Sequence, residues 1–178
     1  MNKLLCALAC AIASQAGAAS ITVRDDDANA VTLQQPARRI VSLAPHVTEM
    51  LFAAGGGDLV VGAVNYSDYP EAAKRIPRIG DNRQIDLERV IALKPDLLVV
   101  WMHGSSERQL DALRKLVIPM NHSEPTTLAG IADNLERVGQ LMGTGGVAGP
   151  AAAELRKTLA RLAAQYSKRP PVRMFYQV

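Results

Sequence analysis

Residues 86–101 read Asp86-Leu87-Glu88-Arg89-Val90-Ile91-Ala92-Leu93-Lys94-Pro95-Asp96-Leu97-Leu98-Val99-Val100-Trp101, and this stretch decides the fold. Residues 87–93 make a short amphipathic helix, closed at Lys94-Pro95 because proline cannot continue one. Residues 96–101 form an apolar run of strand length, with an aromatic residue at its carboxyl end. A helix, a break and a fully apolar strand are the repeating unit of a layered α/β domain with a parallel sheet.

The same alternation extends in both directions. Toward the N-terminus, residues 59–64 read as one strand and Arg39-Ile40-Val41-Ser42-Leu43-Ala44 as another, stopped by Pro45. Between them a helix is expected over residues 49–54, capped by Thr48 and ended by Gly55-Gly56-Gly57. Toward the C-terminus follow a helix at 107–116, a strand at 117–120 and a helix at 128–142. Gly143-Thr144-Gly145-Gly146 then breaks the chain before a long helix at 147–167, whose Leu155, Leu159 and Leu162 form one apolar stripe. After Arg169-Pro170-Pro171, residues 172–178 read as a strand that opens a second lobe, or that returns to the first sheet as an edge. Ahead of the sheet, residues 21–24 and 30–33 alternate around Asp25-Asp26-Asp27-Ala28-Asn29 and predict a β-hairpin. Its acidic triplet lacks the ligand spacing of a calcium loop and reads as a solvated turn.

The first residues differ in kind. Met1-Asn2-Lys3, an apolar run at 4–13 and Ala16-Gly17-Ala18-Ala19-Ser20 have the three-part layout of a secretory signal. The run is too short to span a bilayer, which takes roughly 20 residues. Cys6 and Cys10 both lie within it, so the exported chain has no cysteine for a disulfide or a metal. The expected organisation is a signal peptide at 1–19, an N-terminal ligand-binding lobe at 20–145, a connector helix at 146–168 and the start of a C-terminal lobe at 169–178. The 178 residues carry Lys+Arg 20 against Asp+Glu 17, without a basic run, which argues against a nucleic-acid partner.

No catalytic constellation stands out. His46, His103 and His122 fall in separate loops, far from the spacing of a helix-borne zinc site. Gly55-Gly56-Gly57 follows a helix, so it lacks the context of a dinucleotide-binding loop. The carboxyl ends of parallel strands do collect candidates for a binding surface. Pro45 and His46 follow one strand, Tyr66 and Ser67 another, and Trp101, Met102 and His103 a third. Two flat rings, a thioether and two imidazoles suit a large, flat, partly polar ligand. His46 is the one candidate axial ligand for a metal held in such a molecule.

The stretches Val64-Asn65-Tyr66-Ser67-Asp68-Tyr69-Pro70, residues 86–101, and Arg39-Ile40-Val41-Ser42-Leu43-Ala44-Pro45 with Thr48-Glu49 resemble the periplasmic cobalamin (vitamin B12)-binding proteins of ABC import systems. Glu107-Arg108-Gln109 extends the likeness, and the opening hairpin is similar to that of a broader group that also takes haem and ferric siderophores. The resemblance implies two α/β lobes joined by a rigid helix, with the corrinoid held between them and delivered to an inner-membrane ABC permease. It implies that Tyr66 and Trp101 contact the corrin ring. Asn82 stands where the family's best-known member has a further tryptophan. Glu88 matches the acidic residue by which such receptors dock on permease arginines. The expectation is a monomeric periplasmic receptor that is not an enzyme, with roughly a hundred residues of second lobe missing. Three readings compete with it: haem or siderophore capture on the same architecture, an α/β nucleotide-using enzyme domain, and a truncated product without function. The second predicts a phosphate-cradling glycine turn after the first strand, where this chain has Ala44-Pro45-His46.

Overall fold

The computed structural model describes residues 20–81 and 83–177. The expected signal peptide, both cysteines and Asn82 lie outside the described residues. A hairpin of β1 (Ile21–Arg24) and β2 (Ala30–Leu33) opens the chain, with Val23 paired to Val31. Four strands then form a wholly parallel sheet: β3 (Ile40–Ser42), β4 (Val60–Ala63), β5 (Leu97–Val100) and β6 (Met120–His122), in the order β4-β3-β5-β6. The helices are α1 (Pro45–Ala53), α2 (Leu87–Ala92), α3 (Glu107–Arg114), α4 (Leu128–Met142) and α5 (Gly145–Tyr166).

The period of two along a strand divides the sheet into two interiors. Ile40, Leu97 and Val99 point to one face and pack with Val47 and Leu51 of α1, Val138 and Leu141 of α4, and the hairpin. Val41, Leu98 and Val100 point to the other, against Val90 of α2 and Leu110 and Leu113 of α3. Helices therefore cover both faces, and the strands are apolar throughout, as the α/β reading requires.

Three expectations are corrected. Thr48 is not a cap: α1 begins at Pro45, whose fixed φ suits a first helical position, and Thr48 lies inside the helix, fully buried. Its hydroxyl sits 2.7 Å from that of Ser42 and 3.0 Å from that of Ser67. The fourth strand runs Met120–His122 rather than 117–120, because Val117 adopts φ +55° and is exposed, which ends α3's exit turn instead of starting a strand. The third correction is the edge-strand alternative for the C-terminal segment: residues 172–177 join neither sheet and are solvent-exposed.

The acidic turn is solvated only at Asp27, Ala28 and Asn29. Asp25 is buried, and its Oδ1 accepts from the amides of Asp27 and Asn29. Asp26 accepts from Arg137 Nη1 at 2.6 Å, from Asn134 Nδ2 at 2.9 Å and from the Glu124 amide at 2.5 Å. The hairpin thus clamps the end of β6 to α4.

At the other end, α5 is 22 residues long, about 33 Å at 1.5 Å per residue. It packs on α4 through Ala148 and Ala152, and Arg156 bridges Asp133 and Glu136. Beyond residue 159 it is exposed.

Candidate ligand-binding site

The sheet order fixes where a site can form. From β3 the chain leaves to β4 on one side, whereas β5 and β6 build outward on the other. Connections diverge between β3 and β5, and at such a switch point a crevice opens beyond the strand ends. The residues entering it are His46 after β3 and Trp101 after β5. Their rings meet edge to face, with centroids 5.4 Å apart and planes at 84°. Together with Met50, Glu124, Pro125 and Ile131 they line a cavity of about 390 Å³. Larger hollows of about 560 and 810 Å³ lie along α2 and α3, but charged and polar side chains such as Arg83, Arg108, Asp81 and Glu88 line much of them. An apolar, aromatic crevice at the switch point is the better match to a ring-shaped ligand.

His46 is exposed at its edge, yet the protein packed around it desolvates the ring and holds its pKa below the ordinary 6.5, against opposing pulls from the Ser123 backbone and from Glu49 and Glu124. It enters the crevice as a neutral imidazole at neutral pH. Pro45, partly exposed, begins α1 beside it.

Tyr66 follows β4, on the far side of β3 from Trp101, so roughly two strand spacings, about 10 Å, separate their strands. It is 79% exposed and takes a left-handed φ of +67°. That conformation costs a non-glycine residue on the order of 1 kcal/mol or more and persists only where neighbours enforce it. The neighbours here are the Ser67 hydroxyl, hydrogen-bonded to Thr48, and the Ser67 carbonyl, which accepts from Arg78 Nη2 at 2.9 Å.

Two expected contacts are corrected on this geometry. Ser67 is 1% exposed and its hydroxyl is engaged, so it fixes the loop that presents Tyr66 and offers no surface to a ligand. Met102 packs against the α2–α3 side of the core and lines a separate hollow with Asp25, Asp27 and His122, away from the His46–Trp101 crevice.

Glu88 lies exposed in the first turn of α2, whose N-cap Asp86 accepts from the Arg89 amide. Among the described residues it makes no ion pair.

Sequence reasoning missed the loop after β6. Placing that strand three residues early hid Ser123, Glu124 and Pro125, which close the crevice on its third side. It also kept His103 and His122 apart, whereas their ring centroids lie 6.5 Å from each other around Glu124. Glu124 Oε2 accepts from His122 Nε2 at 2.9 Å and contacts His103 Nδ1. Burial alone would raise the Glu124 pKa, but hydrogen bonds from the two histidines and the nearby Trp101 indole bring it below its usual value. The Glu124 hydrogen bond in turn raises that of His103.

A parallel four-stranded sheet with helices on both faces, an aromatic crevice at its switch point and a long exit helix define an α/β fold of the solute-receptor class. Residues 40–178 match the periplasmic binding protein family, and the chain belongs to it. The expected periplasmic location agrees with that family, and among the described residues no helix is long and apolar enough to cross a membrane.

Within the family, the chain is 41% identical over 143 residues to the vitamin B12-binding protein of Vibrio cholerae, covering 80% of this chain and 52% of that one. It is 40% identical over 143 residues to the vitamin B12-binding protein of Yersinia pestis, covering 80% and 51%. The crystal structure of the periplasmic vitamin B12 binding protein of Vibrio cholerae superposes with a TM-score of 0.77, over 80% of this chain and 56% of that one. A periplasmic heme binding protein from Pseudomonas aeruginosa superposes with a TM-score of 0.65 at 29% identity, over 76% and 50%. The chain spans about half the length of the curated relatives it matches.

Proposed function

We propose that this chain is the first lobe and connector of a periplasmic receptor that captures a corrinoid and hands it to an inner-membrane ABC permease. The observation that carries the reading is the His46–Trp101 pair at the switch-point crevice, with Tyr66 held out on the neighbouring strand end. Rings of this kind supply contact area at little entropic cost, and a planar macrocycle can lie across the rim they form. Similarity to proteins named for vitamin B12 binding supports a corrinoid as that macrocycle. Pro45, His46, Tyr66 and Trp101 are the proposed contacts of this lobe, and Asn82 is a proposed contact outside the described residues.

A cavity of about 390 Å³ is small for so large a ligand, which is why a second lobe is part of the proposal. Residues 20–145 form the first lobe and residues 146–168 the connector. Residues 169–178, with Val172, Met174 and Phe175 all exposed, begin the second lobe as a strand that acquires its partners there. Glu88 is the proposed docking acid for permease arginines, where a charge pair sets orientation and encounter rate more than affinity. Binding rather than catalysis is the proposed activity, by a monomer and without nucleic acid.

Calorimetry with cyanocobalamin tests the reading. Weak or no heat is expected from the 178-residue chain, and tight binding from the chain extended through a second lobe. An extended chain that takes up no cyanocobalamin overturns it. The haem reading draws on the Pseudomonas aeruginosa likeness and the neutral His46. It predicts a Soret shift on adding haem that His46→Ala abolishes.

A further inference from the structure

We propose that His103, His122 and Glu124 form a binding site for one divalent transition-metal cation of the zinc type, at the edge of the crevice and sharing Glu124 with its lining. One ligand atom from each of the three lies within 4.8 Å of the others. Donor atoms on a tetrahedral zinc ion stand roughly 3.3 Å apart, given metal–ligand bonds of about 2.0–2.1 Å. The 2.9 Å between His122 Nε2 and Glu124 Oε2 therefore needs only a small outward shift to admit an ion. Two imidazoles and a carboxylate are an established donor set for zinc, and imidazole also suits copper and nickel.

A second observation points the same way. His122 is 5% exposed, and its Nδ1 stands 2.8 Å from Asp27 Oδ2, close enough to pair although off the line of a hydrogen bond. A carboxylate behind one ring nitrogen fixes the imidazole's orientation and aims the other nitrogen at the metal, as in carboxylate–histidine–zinc arrangements. The backbone supports this placement: Asp26 holds the Glu124 amide, and the Asp26 amide donates to the His122 carbonyl at 3.2 Å. The hairpin turn is thus the scaffold of the cluster. Among the described residues neither Glu124 nor Asp27 pairs with a lysine or arginine, so their charge is available to a cation. His103, on the Trp101-Met102-His103 loop, has a side chain 76% exposed and stands on the solvent side of the site, leaving a fourth position to water.

Zinc chloride titrated calorimetrically into the chain, with no corrinoid present, tests the site. All samples carry Cys6→Ser and Cys10→Ser, so no thiolate contributes. One equivalent is expected to bind, with visible absorption bands of a four-coordinate complex when cobalt(II) replaces zinc. His103→Ala and Glu124→Gln, at positions that bear little of the core, are expected to weaken zinc binding at least ~10-fold. Asp27→Asn, which leaves all three donors in place, should cost ~10- to 100-fold. Absence of saturable zinc binding overturns the proposal, and so does affinity unchanged in both His103→Ala and Glu124→Gln. Neither result bears on corrinoid capture, which is measured without metal.

Discussion

The rings of His46 and Trp101 meet edge to face, and this contact joins the start of α1 to the loop after β5, the two chain segments that flank the switch point. Edge-to-face pairs are worth about 0.5–1.5 kcal/mol beyond their buried area. A double-mutant cycle of His46→Ala and Trp101→Ala, read by urea unfolding, is expected to give a coupling in that range. Additive effects would mean that the start of α1 and the loop after β5 are positioned independently.

Because burial lowers the His46 pKa from 6.5, protonating this imidazole opposes folding. The unfolded chain then binds the proton more readily, and stability falls as pH drops below 6.5 toward the folded pKa. An NMR titration should find the His46 midpoint below 6.5, and His46→Gln should flatten the acid side of the curve of Tm against pH. A midpoint at or above 6.5 contradicts the desolvated placement.

Much of this architecture was legible because it rests on local patterns. The apolar run of β5, the Lys94-Pro95 stop and the amphipathic period of α4 need no tertiary information. The errors share a physical cause. Val117 and Ile118 look like strand residues, but the positive φ at Val117 is set by how α3 ends, and the true strand carries the polar pair Asn121-His122, both buried. Asp25-Asp26-Asp27 looks wholly solvated because the partners of its carboxylates, Arg137, Asn134 and His122, lie about a hundred positions away in the chain. The crevice was half legible for the same reason. Trp101 and His46 abut recognisable strands, whereas Glu124 and Pro125 depend on the register of β6.

The seam between α4 and α5 makes a prediction whose sign is informative. A Cβ added at Gly139 would stand 2.3 Å from the Cβ of Ala148. On an open helix, glycine to alanine is favourable by about 1 kcal/mol. Here Gly139→Ala is expected to destabilise by about 1–3 kcal/mol, because the two helices must separate. Adding Ala148→Gly should recover a large part of the loss. Stabilisation by Gly139→Ala alone would show that α5 is not seated on α4 in solution.

Asp26 offers the sharpest test of the clamp between hairpin, β6 and α4. Its side chain is 17% exposed and that of Arg137 is 16% exposed, so the pair is largely withdrawn from water. Burial alone would raise the Asp26 pKa, but the Glu124 amide, Arg137 and Asn134 bring it below the ordinary 3.8. Asp26→Asn keeps the shape but removes the charge, leaving Arg137 without its counter-ion. Hydrogen bonds to charged groups and buried pairs of this kind set the expected loss at about 2–3 kcal/mol at neutral pH. A carboxylate with a depressed folded pKa contributes stability above its unfolded value and loses it as pH falls through the folded one. The gap between the parent chain and Asp26→Asn, measured as the urea midpoint, should therefore be constant near neutrality and close progressively below pH 3.8. A gap that stays open in acid would mean that the loss comes from packing, and that the charge on Asp26 does not hold the hairpin to α4.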